Sequence, residues 1–149
     1  MSGQIQYVPD DSLTTESTRP TEELDEVRAI VETRDFADRI AREGLPVIES
    51  LDPLPPYERC HFVTPVRFGR RRSDQCGHLE LTSVRLKFHG ALDVSVSWAE
   101  VGSVERTGHE IGVSLVHSPR VLRFCCHAIS EAARGTVIAR QLAANVSTT

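Results

Sequence analysis

Hydrophobic residues follow two different periods in this chain, and the change falls near residue 57. Between residues 21 and 43, apolar residues recur every three or four positions, which predicts an amphipathic helix. Thr21 is suited to its N-cap, acidic residues occupy its first turn, and Gly44 is suited to end it. The apolar stripe of this helix comprises Leu24, Val27, Ile30 and Val31 and continues towards Ala37, Ile40 and Ala41.

The segments on either side of this helix show no such period. Residues 1–20 are rich in Ser, Thr, Asp and Gln, which is typical of a disordered tail. Residues 45–57 contain four prolines, which exclude a helix interior. We interpret this segment as a stiff, extended linker, although residues 53–56 also match a PxxP pattern.

From residue 58 onwards, apolar and polar residues alternate, as they do in strands with one buried face. A two-residue turn at Thr82 and Ser83 would place Glu80 opposite Arg85 and all apolar residues of the hairpin on the other face. Those apolar residues are Leu79, Leu81, Val84, Leu86 and Phe88. About seven short strands of this kind, followed by a helical stripe over residues 129–143, predict an α+β fold with an antiparallel barrel or sandwich and a C-terminal helix.

Residues 77–90, with the sequence GHLELTSVRLKFHG, resemble a hairpin motif of bacterial PH-like and GRAM-like domains. Residues 94–105 around Trp98 resemble the segment that follows it, and residues 54–62 resemble the approach to the first strand, with Tyr57 where glycine is usual. The resemblance covers residues 57–145 and implies a PH/GRAM-like domain over 58–145. It implies two orthogonal sheets with the C-terminal helix closing one end. Members of such families are mostly binding or scaffolding modules.

Composition agrees with a globular domain, and charge divides the chain at the same point. Hydrophobic residues make up 40% and charged residues 26%. The net charge of -4 combines 13 acids and 5 bases in residues 1–56 with 8 acids and 12 bases in residues 57–149. Residues 1–56, which contain the predicted acidic helix and its flanking segments, therefore carry a net charge of -8. The domain that follows carries a net charge of +4.

The sequence shows neither a membrane-spanning segment nor a secretory signal. No stretch reaches the roughly 20 apolar residues of a membrane helix, and the first thirty residues lack the features of a secretory signal. We expect a cytoplasmic protein, with the inner face of the membrane as a further location if it binds lipid. The four cysteines are then expected to be reduced.

Basic residues form a candidate site for anions or lipid head groups. The predicted site comprises Arg67, Arg70, Arg71, Arg72, Arg85 and Lys87. Several guanidinium groups at a strand end and in the loop after it suit phosphate oxygens. The resemblance implies that lipid-binding PH domains grip phosphoinositides with this loop, but they also carry a basic pair on the second strand, where this chain has His78-Leu79-Glu80. The competing interpretation is a solvated turn with Arg85 bound to Glu80.

The sequence gives less support to metal binding, enzyme activity or nucleic-acid binding. The chain has no C-x-x-C motif, and only Cys76 with His78 and Cys125 with His127 share a strand face, so we expect no metal site. It also lacks a G-x-S-x-G, P-loop or G-x-G-x-x-G signature, so we expect no enzyme activity and no cofactor. A charge of +4 over 93 residues is too weak a footprint for nucleic acid.

The sequence therefore predicts a non-enzymatic binding or scaffold module with protein–protein contacts. These contacts would use sheet edges or the apolar stripe, with Leu24, Val27, Ile30 and Val31 as candidate partner-binding residues, and would involve a protein partner or a homo-oligomer. A third interpretation is that the stripe docks the helix on its own barrel, where the acidic helix screens the arginines. The alternative function is peripheral binding to anionic lipid through the arginine cluster.

Overall fold

The computed structural model describes the backbone of residues 10–69 and 75–147 and the side chains of residues 23–69 and 75–146. Within these ranges the chain forms two α-helices, seven strands and one short 3-10 helix. In chain order they are α1 (Asp10–Glu43), β1 (Cys60–Phe68), β2 (Gln75–Thr82), β3 (Arg85–His89), β4 (Val94–Ser97), the 3-10 helix (Trp98–Glu100), β5 (Val101–Thr107), β6 (Glu110–Leu115), β7 (Val121–Cys126) and α2 (Ile129–Ser147). The predicted α+β class, with antiparallel strands followed by a C-terminal helix, is confirmed.

The strands form a single open sheet in the order β4-β3-β2-β1-β7-β6-β5. The resemblance implied two sheets, and the difference lies in β1, which is shared between both halves. This strand pairs with β2 from Cys60 to Phe68, and its residues 66–68 also pair with β7. Because α2 contacts strands from both halves, it closes the curved sheet around one hydrophobic core.

The β2–β3 hairpin has a register two residues away from the predicted one. Leu81 pairs with Leu86 and Leu79 pairs with Phe88, so the turn consists of Ser83 and Val84. The side chain of Thr82 closes this turn, since its Oγ1 accepts hydrogen bonds from the backbone N–H of Val84 at 3.2 Å and of Arg85 at 3.0 Å. A shift of two residues preserves the faces of both strands. The leucines and Phe88 are therefore buried as predicted, but Glu80 lies opposite Lys87 and not opposite Arg85.

The core is filled by apolar residues of the inner sheet face and one face of α2. The ring of Phe68 lies 5.1 Å from those of both Phe88 and Phe124. Trp98 is buried as predicted, and its indole Nε1 donates a hydrogen bond to the carbonyl of Thr82 at 2.7 Å. Helix α2 contributes Ala132, Ile138, Ala139 and Leu142.

Gly135 lets α2 approach the sheet closely. A Cβ atom at this position would lie 2.9 Å from Cδ1 of Ile111 and 2.9 Å from Cε2 of Phe62. Such distances are shorter than van der Waals contact, so any larger residue would push α2 away from the core. The glycine weakens the helix slightly and permits its packing.

The first helix is longer than predicted. It begins at Asp10 and not at Thr21, so residues 10–20, predicted as part of a disordered tail, are helical, and residues 1–9 lie outside the described part. The helix ends at Glu43, followed by Gly44 with φ of 88°, whose N–H bonds to the carbonyl of Ile40 at 2.8 Å. Neither this helix nor any other in the described residues is long and apolar enough to cross a membrane.

Residues 45–57, which we call the strap, pack against the domain and do not act as a free spacer. The N–H of Ile48 bonds to the carbonyl of Cys60 at 2.9 Å, where it forms a single antiparallel bridge with β1. The carbonyl of Pro46 lies 2.7 Å from Nδ1 of the buried His61. The strap is therefore attached to the beginning of β1.

Candidate functional site

Helix α1 packs on α2 with one face and exposes a second apolar face. Ala29 is 2% exposed and Ile40 is 7% exposed, and Phe36 packs against the core between them. Leu24, Val27, Ile30 and Val31, which we call the outer stripe, are 63%, 58%, 49% and 53% exposed. At 100° per residue, Leu24, Val27 and Val31 point away from the face that carries Ala29 and Ile40, and Ile30 lies at the side. The predicted partner-binding residues are therefore not used to dock α1 on its own domain.

Arg106 on β5 fixes the rotation of α1. Its Nη2 lies 2.8 Å from Oε2 of Glu26, and its Nη1 donates a hydrogen bond to Oε1 at 3.2 Å. Nη1 also donates to the carbonyl of Gly108 at 2.8 Å, and the Arg106 side chain is only 16% exposed. A preorganised guanidinium holds a carboxylate in one geometry more tightly than an exposed lysine would. The acidic helix and the basic domain thus meet at this ion pair, which the alternation pattern of β5 did not reveal.

The basic residues of the predicted anion site do not form one cluster in the part of the chain that is described. Arg67 pairs in register with Cys76, whereas Lys87 pairs with Glu80, which is four residues further along β2. Strand geometry separates these two positions by roughly 13 Å along the strands and about 10 Å across them. Arg70, Arg71 and Arg72 lie outside the described residues. The expected convergence of Arg67 with Arg85 and Lys87 is therefore wrong, because all three lie on one face but at different ends of it.

Arg85 also forms an ion pair with a neighbouring carboxylate, that of Glu58. Its Nε lies 3.2 Å from Oε2 of Glu58, and the hydroxyl of Thr82 donates to the same oxygen at 2.5 Å. Glu58 is buried, so its charge needs these partners. The sequence had suggested Glu80 as the partner of Arg85, and the two-residue change of register explains the difference.

Glu80 is fully buried, on the face of the sheet where we had expected solvent. Its Oε1 lies 2.8 Å from Nε2 of His89, and its Oε2 accepts the N–H of Leu51 at 3.4 Å. Asp52 approaches the other side of the His89 ring, with Oδ2 3.8 Å from Nδ1. The strap supplies Leu51 and Asp52, so this acid–imidazole–acid arrangement anchors the strap. A structural role for these residues could not be read from the hairpin alone.

Two of the four thiols are buried and kept protonated. Burial, followed by the hydrogen bond to Glu80, raises the pKa of Cys60 to about 12. Burial, followed by the negative charge of Glu131, raises the pKa of Cys126 to about 12. A thiol reacts as a nucleophile and binds metal as its thiolate. Cys60, beside Glu80, therefore carries a neutral thiol near neutral pH.

The other two cysteines line a groove across β1, β2 and β7. Sγ of Cys125 lies 3.1 Å from Nδ1 of His109, and Nη2 of Arg67 lies 3.9 Å from the same sulfur. Cys76, His78 and His127 also line this groove. Within the described ranges, however, no three Cys, His, Asp or Glu side chains come together as metal ligands.

The sequence of the chain matches no family model, and no curated protein matches it significantly. Its fold does match solved structures. The N-terminal PH domain of human ARAP2 aligns with a TM-score of 0.51 and 10% identity, over 67% of this chain and 90% of that domain. The linker and DH/PH domains of p115-RhoGEF align with a TM-score of 0.53 and 10% identity, over 81% of this chain and 41% of that one.

A third similar structure is the inner membrane complex sub-compartment protein 3 of Toxoplasma gondii. It aligns with a TM-score of 0.50 and 10% identity, over 57% of this chain and 77% of that one. Identities this low establish a shared fold alone. The PH-like fold implied by the sequence resemblance is thus confirmed, and the finer GRAM-like assignment stays a prediction.

Proposed function

We propose that this chain is a non-enzymatic binding module in which a PH-like domain holds α1 so that the outer stripe contacts another protein. The observation that supports the proposal is the exposure of Leu24, Val27, Ile30 and Val31, each close to half or more, on a helix that already docks through a different face. Apolar side chains grouped on a soluble surface are characteristic of an interaction site.

The energetics of exposure favour a contact at this stripe. Burying apolar surface contributes about 25 cal/mol per Å², so full burial of one Leu, Val or Ile side chain contributes roughly 1.5 to 3 kcal/mol. The domain does not recover this energy itself, because its α1 contact uses Ala29, Phe36 and Ile40. A partner helix or groove that buries the outer stripe would recover this energy.

Sheet edges were the other predicted surface, and they are less suited. The edge strand β4 has four residues, too few to guide an added strand. At the other edge, the carbonyl of Val104 on β5 accepts a hydrogen bond from Nε of Arg140 at 2.8 Å. An α2 side chain thus occupies a backbone acceptor that an added strand would need.

A photo-crosslinking amino acid can test the stripe as a protein contact. We would introduce p-benzoylphenylalanine in place of Val27 and, as a matched control, in place of Val116, which is 54% exposed on the turn after β6. Irradiation of cells that express each variant should give a discrete crosslinked protein species from position 27 and none from position 116. Equal or absent crosslinking at both positions would contradict the proposal.

The alternative function is binding to anionic lipid through the arginine cluster. One observation favours it: Arg67 is exposed on the outer face at the end of β1, next to the segment that carries Arg70, Arg71 and Arg72. Sedimentation with anionic liposomes at low salt tests it, with Arg70/Arg71/Arg72→Ala as the variant and Arg120→Ala as the control. Binding that only the triple variant loses would support this alternative, and no binding by the unchanged protein would exclude it.

A further inference from the structure

We infer that the partner of the outer stripe is a second copy of this chain, and that the two α1 helices pair in parallel. This inference rests on the proposed function and names the partner at that same site. The arrangement of charges beside the outer stripe supports this inference.

The outer stripe has the spacing of a two-stranded helical seam. Leu24, Val27 and Val31 are separated by three and then four residues, which places them at successive a, d and a positions of a heptad. All three are exposed by more than half. They point away from the face that packs on α2, so a second helix along the seam would meet no part of the domain's own core.

Each flank of the seam carries one charged residue between residues 23 and 31, and the two charges are opposite. Glu23 lies at a g position on one flank and Arg28 lies at the e position five residues later, on the other flank, and both are exposed. In a parallel pair, the g residue of one helix faces the e residue of the next heptad in its partner. Glu23 of each copy would therefore face Arg28 of the other, twice by symmetry.

An antiparallel pair in the same apolar register is disfavoured by charge. Placing Leu24 against Val31 of the second helix would bring the two Arg28 side chains side by side at the centre of the contact. Between residues 23 and 31, charge complementarity thus favours the parallel arrangement, and a second copy supplies the charge that Glu23 and Arg28 each need.

The contact area sets the expected affinity. The apolar seam spans about two helical turns and buries well below the roughly 1,200 Å² of a stable complex. The backbone of α1 continues as a helix to Asp10 beyond this seam, which leaves room for the helices to run side by side. We therefore expect a reversible dimer with a dissociation constant on the order of tens of micromolar.

A charge exchange between the flanks provides the test. Sedimentation velocity of the full chain would be measured from about 5 to 500 µM for the unchanged protein, for Arg28→Glu, and for the double variant Glu23→Arg/Arg28→Glu. Arg120→Glu, an exposed change of the same charge on another surface, is the matched control. Circular dichroism would verify that each variant remains folded.

The unchanged protein and Arg120→Glu should approach twice the mass of one chain as concentration rises. Arg28→Glu should weaken the dissociation constant by at least about tenfold, because Glu23 would then face Glu, and the double variant should restore it. A monomer at all concentrations would overturn the self-pairing but leave the proposed function standing, if Val27 crosslinks to a different protein in cells. A dimer that Arg28→Glu does not weaken would overturn the parallel arrangement.

Discussion

Glu26 and Arg106 form an ion pair with a shortest distance of 2.8 Å, although they lie 80 residues apart in the chain. This pair joins the acidic helix to the basic sheet. It lies beside the face of α1 that carries Ala29 and Ile40, so it reinforces the orientation in which these residues are buried. The charge division seen in the sequence thus has a structural use at one specific contact.

Removing the charge of Glu26 should loosen α1. Glu26→Gln keeps the size of the side chain but weakens the pair, and we expect a loss of about 0.5 to 1 kcal/mol because Glu26 is partly exposed and solvent screens the interaction. Hydrogen–deuterium exchange should rise in residues 23–40 and remain unchanged in the sheet. Asp38→Asn, at an exposed position of the same helix, is the control and should change neither. Equal exchange in Glu26→Gln and the unchanged protein would show that the pair does not hold the helix.

Gly135→Ala should destabilise the protein despite the higher helix propensity of alanine. Propensity alone predicts a gain of about 1 kcal/mol. The new Cβ would lie 2.9 Å from both Ile111 and Phe62, and such overpacking costs roughly 1 to 3 kcal/mol. Urea unfolding should therefore give a lower free energy of unfolding for the variant, and a higher one would mean that α2 does not pack so closely on the sheet.

Trp98→Phe should be more costly than the loss of apolar area alone. The phenyl ring is smaller, and the carbonyl of Thr82 would lose the hydrogen bond that it accepts at 2.7 Å inside the core. A buried unsatisfied acceptor costs about 1 to 3 kcal/mol, in addition to the cavity. We expect a total loss of about 2 to 4 kcal/mol in thermal or denaturant unfolding. A loss below about 1 kcal/mol would indicate that water or a backbone shift satisfies Thr82.

The buried thiols should make stability fall in alkaline solution. The folded pKa of Cys60 and of Cys126 is raised from 9.0 to about 12, so the unfolded chain releases these protons first as the pH rises. The free energy of unfolding should then decrease between about pH 9 and pH 12, by up to about 1.4 kcal/mol per pH unit for each thiol. Denaturant unfolding at pH 8 and pH 10 measures this change. Cys126→Ala should show a smaller decrease than the unchanged protein, and identical decreases would contradict the raised pKa.

Periodicity predicted the faces of the strands but not their exact pairing. Leu79, Leu81, Leu86 and Phe88 fall on the buried face in any register that differs by two residues, so the pattern could not distinguish them. The choice is made by the hydroxyl of Thr82, which accepts two backbone N–H groups in the turn. That local hydrogen bonding is not encoded in the alternation of apolar and polar residues.

Contacts between segments far apart in the sequence account for the other differences between the predictions and the structure. Glu80 occupies a polar position of β2, and only the return of the strap over the sheet buries it. The apolar residues of α1 lie on more than one face of the helix. Helical spacing grouped Leu24 and Val27 with Ile40 in one stripe, but the structure buries Ile40 and exposes the other two on the opposite face. The buried face is the one that meets α2 and lies beside the ion pair of Glu26 with Arg106, and both contacts join segments far apart in the sequence.

Helix α1 rests on its domain through Ala29 and presents Val27 to the solvent. Pulsed maleimide labelling of Val27→Cys and Ala29→Cys, at protein concentrations of about 1 µM so that self-pairing is negligible, measures this directly. Peptide mass spectrometry separates the introduced thiol from Cys76 and Cys125. We expect rapid labelling at position 27 and strong protection at position 29, since these residues are 58% and 2% exposed. Labelling of both positions at the same rate, or faster labelling at position 29, would contradict it.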